Sequence, residues 1–312
     1  VVDQDVEGTG LVVHPGGKGL RLLRLDARNG EKISENVMTD RHPKTGRPLD
    51  AKIAWPDLPT ALPDILSCDG TNIYMRAQRF DRAGNRIAVA PPGDFRKQAG
   101  AGAHLFCPTG FLDDAWWHRS YWLWGKHPGS AAGRWYAAAY HAPAGRIMSV
   151  SGDCVYAFGR KAEHFPQTTS LEYHLFRAKK EPTVVQTGKR RKRWLPDPHR
   201  PVYDWSIEIP LLGRALLVAG DRVFVAGPPD LVDTTKTMQH WEDAESREKL
   251  AAQAAALAGE KGGLLKVYAA ADGAELSSLK LASPPVFDGL AAARGRLYLA
   301  AIDGSVVCLK KK

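Results

Sequence analysis

The 312-residue chain has no run of 18 consecutive apolar residues, and it opens VVDQDVEGTG, without the charged start and apolar stretch of a signal peptide. The first absence excludes a transmembrane helix of ordinary length. The second excludes an uncleaved secretory leader at this position. Because the chain starts at Val rather than Met, we expect a processed or truncated form of a longer polypeptide.

Cysteine is scarce, and its four residues are widely separated: Cys68, Cys107, Cys154 and Cys308. No CxxC or CxxCH motif occurs, which excludes a zinc ribbon, a thioredoxin motif and a c-type haem site. Most of the four lie in or beside strand-like runs, so we expect small buried apolar residues rather than disulfide partners. HPGGKG, residues 14–19, lacks the spacing of a phosphate-binding loop and predicts a hairpin turn.

The chain is rich in turn formers and in positive charge. Its 30 Gly and 21 Pro favour many turns and few long helices, and its net charge is +9. A basic balance favours anionic partners in general. Five consecutive basic residues form one candidate anion-binding set, which consists of Lys189, Arg190, Arg191, Lys192 and Arg193. We favour a solvated loop for this run over a site for an acidic polysaccharide, and we expect no nucleic-acid partner.

A short pattern recurs along the chain: an apolar run, a Gly turn, and then an aliphatic–aromatic pair. It occurs in ILSCDGTNIYM (65–75), IMSVSGDCVYAFGR (147–160), ALLVAGDRVFVAG (215–227) and LAAARGRLYLAAIDGSVVCL (290–309). Each segment predicts two antiparallel strands joined by a tight turn. A second hairpin type is predicted in LRLLRLDARNGEKI (20–33) and LLKVYAAADGAELSSLKL (264–281). Together the two types give four strands per unit.

A repeated four-stranded antiparallel unit is the unit of a β-propeller. We therefore predict an all-β fold, a β-propeller of roughly six to eight four-stranded blades, formed by residues 1–312 as a single domain. Insertions are expected near 179–203, a basic loop, and near 228–263, where an alanine-rich stretch predicts one helix at 240–258.

Several segments resemble the repeats of the pyrroloquinoline-quinone-like β-propeller family, namely LDARNGEKI, LKVYAAADGAELSSLKL and GRLYLAAIDGSVVCL. The block 104–160 resembles poorly characterised propeller-repeat proteins of planctomycete-type bacteria. The resemblance implies a non-catalytic binding or scaffold module of an exported bacterial protein, periplasmic or secreted, with a protein or glycan ligand.

Two other functions remain open. One is a carbohydrate-active enzyme acting at the propeller channel, and the less favoured one is a quinoprotein-type oxidoreductase. Quinone-dependent members of the family resemble one another in an adjacent cysteine pair, which this chain lacks. We therefore expect no cofactor, with pyrroloquinoline quinone and calcium as the disfavoured alternative.

The block FLDDAWWHRSYWLWGKH (111–127) is unusually rich in aromatic and ionisable side chains. Such a set can stack a sugar or an aromatic ligand and transfer a proton beside it. The acid/base candidates are His118, Asp113 and Asp114. The ligand-binding candidates are Trp116, Trp117, Arg119, Trp122 and Trp124. The alternative, which we favour, is packing between blades.

A histidine-based metal centre is the last candidate, and we predict no metal site. The histidines are irregularly spaced, with no HxH or HExxH motif: His104, His118, His141, His164 and His174.

Overall fold

The computed structural model describes residues 9–16, 19–26, 28–38, 45–46, 66–68, 72–75, 78–87, 104–106, 122–125, 143–160, 173–180, 184–186, 199–233, 236–237, 240 and 242–310. The chain divides into two units. The first comprises Val1–Pro143 with Gly188–Pro198, and the second comprises Ala144–Thr187 with His199–Lys312.

The described part of the first unit consists of antiparallel strands. One sheet has the order β1 (Thr9–Gly16), β2 (Gly19–Asp26), β3 (Lys32–Met38). The next has the order β4 (Leu66–Cys68), β5 (Ile73–Met75), β6 (Gln78–Phe80), β7 (Arg86–Ile87). A further pair is β8 (His104–Phe106) with β9 (Trp122–Gly125). The first two sheets share an apolar core of Leu22, Leu66, Ile73, Met75 and Phe80.

The second unit begins with β10 (Ala144–Gly145) and continues with three larger antiparallel sheets. The first sheet contains β11 (Ile147–Ser151), β12 (Cys154–Arg160), β13 (Tyr173–Lys179) and β16 (Tyr203–Ile207), with the ribbon β14 (Val184–Gln186) and β15 (His199–Pro201) inserted. The second contains β17 (Ala215–Ala219), β18 (Arg222–Gly227), β19 (Gly263–Ala269) and β20 (Glu275–Leu281). The third contains β21 (Pro285–Ala293), β22 (Arg296–Ala301) and β23 (Val306–Lys310).

The three sheets of the second unit pack face to face in chain order. On β18, Val223 and Val225 belong to the core shared with the β11–β16 sheet. Ala226 belongs to the core shared with the β21–β23 sheet, and Phe224 packs against that core. Because successive side chains of a strand point to opposite faces, the middle sheet is covered on both sides. The first strands of the sheets lie side by side, β11 next to β17 and β17 next to β21.

The predicted tight turns connect the first two strands of each of these sheets. Gly152 and Gly220 each open a two-residue loop at φ 55° and 61°. A glycine at positive φ in the first loop position is what a type II′ hairpin turn requires. In the third sheet both loop residues, Arg294 and Gly295, have positive φ, as in a type I′ turn. The turn therefore lies one residue before the predicted Gly295-Arg296 position, while the predicted Asp69-Gly70 turn falls outside the described residues.

The predicted helix is confirmed as α1 (Ala244–Ala258), between β18 and β19. Asp243 precedes it in an extended conformation, and Gly259 ends it at φ 96°. A left-handed glycine after the last turn is the common helix stop, because it carries no Cβ penalty. No helix in the described part of the chain combines the length and apolar character needed to cross a bilayer.

Some predictions were wrong in part. The segment 179–203 contains the paired strands β14 and β15, with Val184 opposite Pro201, where an exposed loop was expected. Cys154 is buried, but Cys308 is exposed at the edge of the last sheet, against the prediction that all cysteines are buried. Within the described residues, Cys154 and Cys308 are free thiols. A mostly β chain of antiparallel sheets is confirmed, while the closed ring of six to eight blades stays a prediction.

Candidate functional site

Few of the candidate residues from the aromatic and basic blocks are described. Trp122 and Trp124 lie in strand β9, which pairs with β8 so that Leu105 is opposite Trp124. The others lie outside the described residues: Asp113, Asp114, Trp116, Trp117, His118, Arg119 and the basic run 189–193. The aromatic platform and the anion-binding loop therefore stay predictions.

The second unit contains an apolar cleft of about 510 Å³ that the sequence did not reveal. It lies at one end of the three packed sheets, where connections between strands meet helix α1. Its apolar lining consists of Phe158, Tyr173, Leu212, Gly213, Val232, Leu250, Leu257 and Phe287. Its polar lining consists of Arg146, Arg214, Asp230, Thr237 and Gln253. A mainly apolar cleft of this size with a few polar groups is typical of a ligand-binding site.

Two stacked aromatic rings form a rigid part of the cleft lining. Phe158 at the end of β12 and Tyr173 at the start of β13 have ring centroids 5.3 Å apart and an interplanar angle of 15°. Phe158 is a member of the apolar core between the first two sheets, and Tyr173 packs against that core. The lining is therefore continuous with the core, which holds these rings in place.

Helix α1 contributes one wall and is fixed by a buried glutamine. The Leu231 amide donates to Oε1 of Gln253 at 2.7 Å, and Nε2 of Gln253 donates to the Pro229 carbonyl at 3.1 Å. Leu250 and Leu257 lie two helical turns apart on the same side as Gln253, because positions i, i+3 and i+7 share a helix face. The glutamine therefore determines which side of the helix lines the cleft.

A bulge in β21 forms part of the rim. Pro285 is opposite Ala301, but the next paired residue, Leu290, is opposite Leu299. Four residues of β21 thus face a single residue of β22, which turns Phe287 toward the cleft. Asp288 in this bulge has φ 57°, an uncommon value for a residue other than glycine. Bulges of this kind re-aim side chains and are frequent beside functional sites.

The ionisable residues that line the cleft are Arg146, Arg214 and Asp230. Nη2 of Arg214 donates to the Leu257 carbonyl at 2.9 Å, at the end of α1. Arg146 follows β10, and its amide donates to the Phe158 carbonyl at 2.9 Å. Partial burial raises the pKa of the Asp230 carboxyl. The hydrogen bond from the Val232 amide lowers this pKa, and the negative charge of Asp233 raises it further. Arg214 is thus the cationic side chain whose guanidinium is placed at the end of α1 beside the cleft.

We expect Asp230→Asn to make the protein slightly more stable near neutral pH; the gain is small because Asp230 is exposed and solvent screens part of the cost of its charge. A raised native pKa means that the ionised carboxylate costs stability above that pKa, and the cost disappears as the pH falls below the ordinary value of 3.8. Urea midpoints measured from pH 7 down to pH 3.5 should show an advantage that shrinks as the pH falls. Equal midpoints for Asp230→Asn and wild type at pH 7 would contradict the assignment.

A second polar cluster joins the first two sheets of the second unit. Nε of Arg177 lies 3.2 Å from Oδ2 of Asp204, and its Nη1 donates to the Ala271 carbonyl at 3.0 Å. Nε1 of Trp205 donates to the Ala270 carbonyl at 3.1 Å. Both donors lie in the β11–β16 sheet, and both carbonyls lie in the β19–β20 turn. This cluster has a structural role, and the sequence contained no signal that distinguished Trp205 from other tryptophans.

The candidate histidine of this region is held in the protein interior by its neighbours. His174, one of the histidines considered for a metal, is buried, and its Nδ1 lies 2.6 Å from Oγ of Ser206. Its ring packs against Phe176 and Tyr203. Within the described ranges no group of three or more His, Cys, Asp or Glu side chains is placed to bind a metal ion.

No protein-family model and no curated protein matches the chain. Among solved structures, BamB from Moraxella catarrhalis is similar over 98% of this chain and 67% of its own, with 10% identity and a TM-score of 0.39. The dihydro-heme d1 dehydrogenase NirN, solved in complex with DHE, is similar over 98% of this chain and 61% of its own, with 11% identity and a TM-score of 0.33. This chain thus spans about three fifths of NirN. By its own geometry, it is a mostly β protein of successive antiparallel sheets, with an apolar cleft at one end of the three packed sheets of its second unit.

Proposed function

We propose that this chain is a non-catalytic binding or scaffold module built on a β-propeller, and that it binds a partner protein through the apolar cleft. We extend the proposal to a single ring over residues 1–312, to an exported location and to function without a cofactor. The order of the sheets supports the propeller. Antiparallel sheets that follow one another along the chain and pack face to face with their first strands adjacent are the arrangement of propeller blades.

The observation that carries the binding role is the exposure of large apolar side chains around the cleft. Leu250 and Leu257 are 45% and 39% exposed, and Phe287 is 49% exposed. They are presented by the two features that interrupt the strand repeat, helix α1 and the β21 bulge. Contiguous exposed apolar groups at a concave surface mark interaction sites, whereas scattered ones do not. A partner that covers these side chains gains the free energy of their burial.

The experiment is a selection of random twelve-residue peptides, displayed on phage, against the purified chain. We expect the enriched peptides to bind at least about tenfold more weakly to Leu257→Asp and to Leu250→Asp, because a buried leucine contributes about 1.5–3 kcal/mol. Leu279→Asp is the matched control, since Leu279 on β20 is 43% exposed but does not line the cleft. Circular dichroism checks that each variant is folded.

Two outcomes would overturn the proposal. One is enrichment of peptides that bind all three variants as tightly as wild type, which would place the binding surface elsewhere. The other is the absence of any enriched peptide from a library that yields binders to a known peptide-binding domain treated in parallel.

A further inference from the structure

The charged residues of the apolar cleft bear on the kind of partner that it can bind. Two arginines, Arg146 and Arg214, line it together with Asp230. The surrounding lining is aromatic and aliphatic, so charges inside it interact through a medium of lower dielectric than water.

The backbone of Arg214 is held on both sides by hydrogen bonds. Its amide donates to the Ala226 carbonyl at 2.9 Å, and its carbonyl accepts from the Asp288 amide at 2.8 Å. These bonds connect it to β18 on one side and to the β21 bulge on the other. The position of the guanidinium is therefore set by the same elements that shape the rim of the cleft.

The guanidinium of Arg214 retains donors for a ligand. A guanidinium has five N–H donors, and the bond to the Leu257 carbonyl uses one of them. Among the described residues, no carboxylate forms an ion pair with Arg214. Two parallel N–H groups of an arginine match the two oxygens of a carboxylate, which is the strongest hydrogen-bonded pair that this side chain forms.

We propose that the partner segment carries an Asp or Glu beside its apolar anchor, and that Arg214 binds this carboxylate at the rim while the anchor enters the cleft between α1 and the β21 bulge. The proposal rests on the proposed function and names the chemistry of its partner. A protein segment fits better than a small amphiphile because the apolar rim extends along α1. Leu250 and Leu257 are about 10 Å apart along the helix axis, at about 1.5 Å per residue.

The test is a thermodynamic cycle between the chain and the tightest peptide from the selection. The peptide is made in two forms, with each Asp or Glu or with the corresponding Asn or Gln. We expect wild type to prefer the acidic form by about tenfold or more, and Arg214→Met to lose that preference while still binding the apolar anchor. Arg296→Met, a change of an exposed arginine on β22, should keep it. Arg214→Lys should recover only part of the preference, because an ammonium lacks the paired donors.

The outcomes separate this inference from the proposed function. Two results would show that Arg214 does not bind a carboxylate while leaving the cleft as a binding site. In the first, the peptide depends on Leu257 but binds equally well in its acidic and amide forms. In the second, the preference for the acidic form survives Arg214→Met. If no peptide depends on Leu257, the proposed function itself is wrong. 1-Naphthaleneacetate binding as tightly as the peptide would assign the cleft to a small anionic amphiphile and overturn the choice of a protein partner.

Discussion

Gly227→Ala is expected to destabilise the protein by on the order of 3 kcal/mol. Gly227 ends strand β18, and a Cβ at this position would lie 1.8 Å from the Leu212 carbonyl oxygen and 2.8 Å from its carbonyl carbon. The neighbour is backbone, so it cannot move aside as a side chain can. The Leu212 amide also donates to the Pro228 carbonyl at 2.9 Å, which holds the two segments together. Urea unfolding followed by tryptophan fluorescence measures the loss.

A control substitution at a second glycine separates the cost of steric crowding from the cost of an unfavourable backbone conformation. Gly152 is at φ 55°, and a Cβ added there would meet nothing within 4 Å, so Gly152→Ala tests conformational strain alone. We expect it to cost about 1–2 kcal/mol. Because Leu212 lines the cleft, Gly227→Ala should also weaken the binding of any cleft-dependent peptide, whereas Gly152→Ala should not. A smaller loss of stability for Gly227→Ala than for Gly152→Ala would refute the close approach described here.

Local signals predicted the hairpins because a tight turn depends on a few adjacent residues. The turns after Ser151 and Ala219 each require a residue at positive φ in their first position, and each has a glycine there. Because glycine readily adopts this conformation, a Gly-Asp pair predicts the turn from the sequence alone. The same holds for α1, where an alanine-rich stretch ends at a glycine. The predicted start at 240 was early, because the helix begins at Ala244 after Asp243 in an extended conformation.

The cleft could not be predicted because its lining comes from segments far apart in the chain. Phe158, Leu250 and Phe287 meet only after three sheets have packed, and no spacing rule connects them. One local signal was present: the Asp288-Gly289 pair directly before the last predicted hairpin (290–309), which is typical of a turn or bulge. The sequence instead offered the tryptophan-rich block as a candidate site, with packing between blades as the favoured interpretation, because a high density of aromatic residues is visible without a fold. The described structure places only Trp122 and Trp124 of that block, in β9.

Trp205→Ala is expected to cost about 3–5 kcal/mol, the range for removal of a buried large aromatic side chain. Trp205 is 8% exposed and belongs to the core between the first two sheets of the second unit. Its ring lies against Gly273 in the β19–β20 turn, and its Nε1 donates to the Ala270 carbonyl at 3.1 Å. Leu276→Ala, on the exposed strand β20, is the control and should change stability by less than about 0.5 kcal/mol.

A double-mutant cycle with Arg177 tests whether the two sheets are joined through a shared acceptor. The Ala270 carbonyl accepts from Nε1 of Trp205 and, at 3.3 Å, from Nη1 of Arg177. Trp205→Phe and Arg177→Met each leave one donor, so each single change should cost about 1–2 kcal/mol. The double variant leaves a buried carbonyl with neither donor, and we expect it to lose more than the sum of the single losses. Strict additivity in urea unfolding would mean that the two side chains stabilise the contact independently, by packing rather than through a common acceptor.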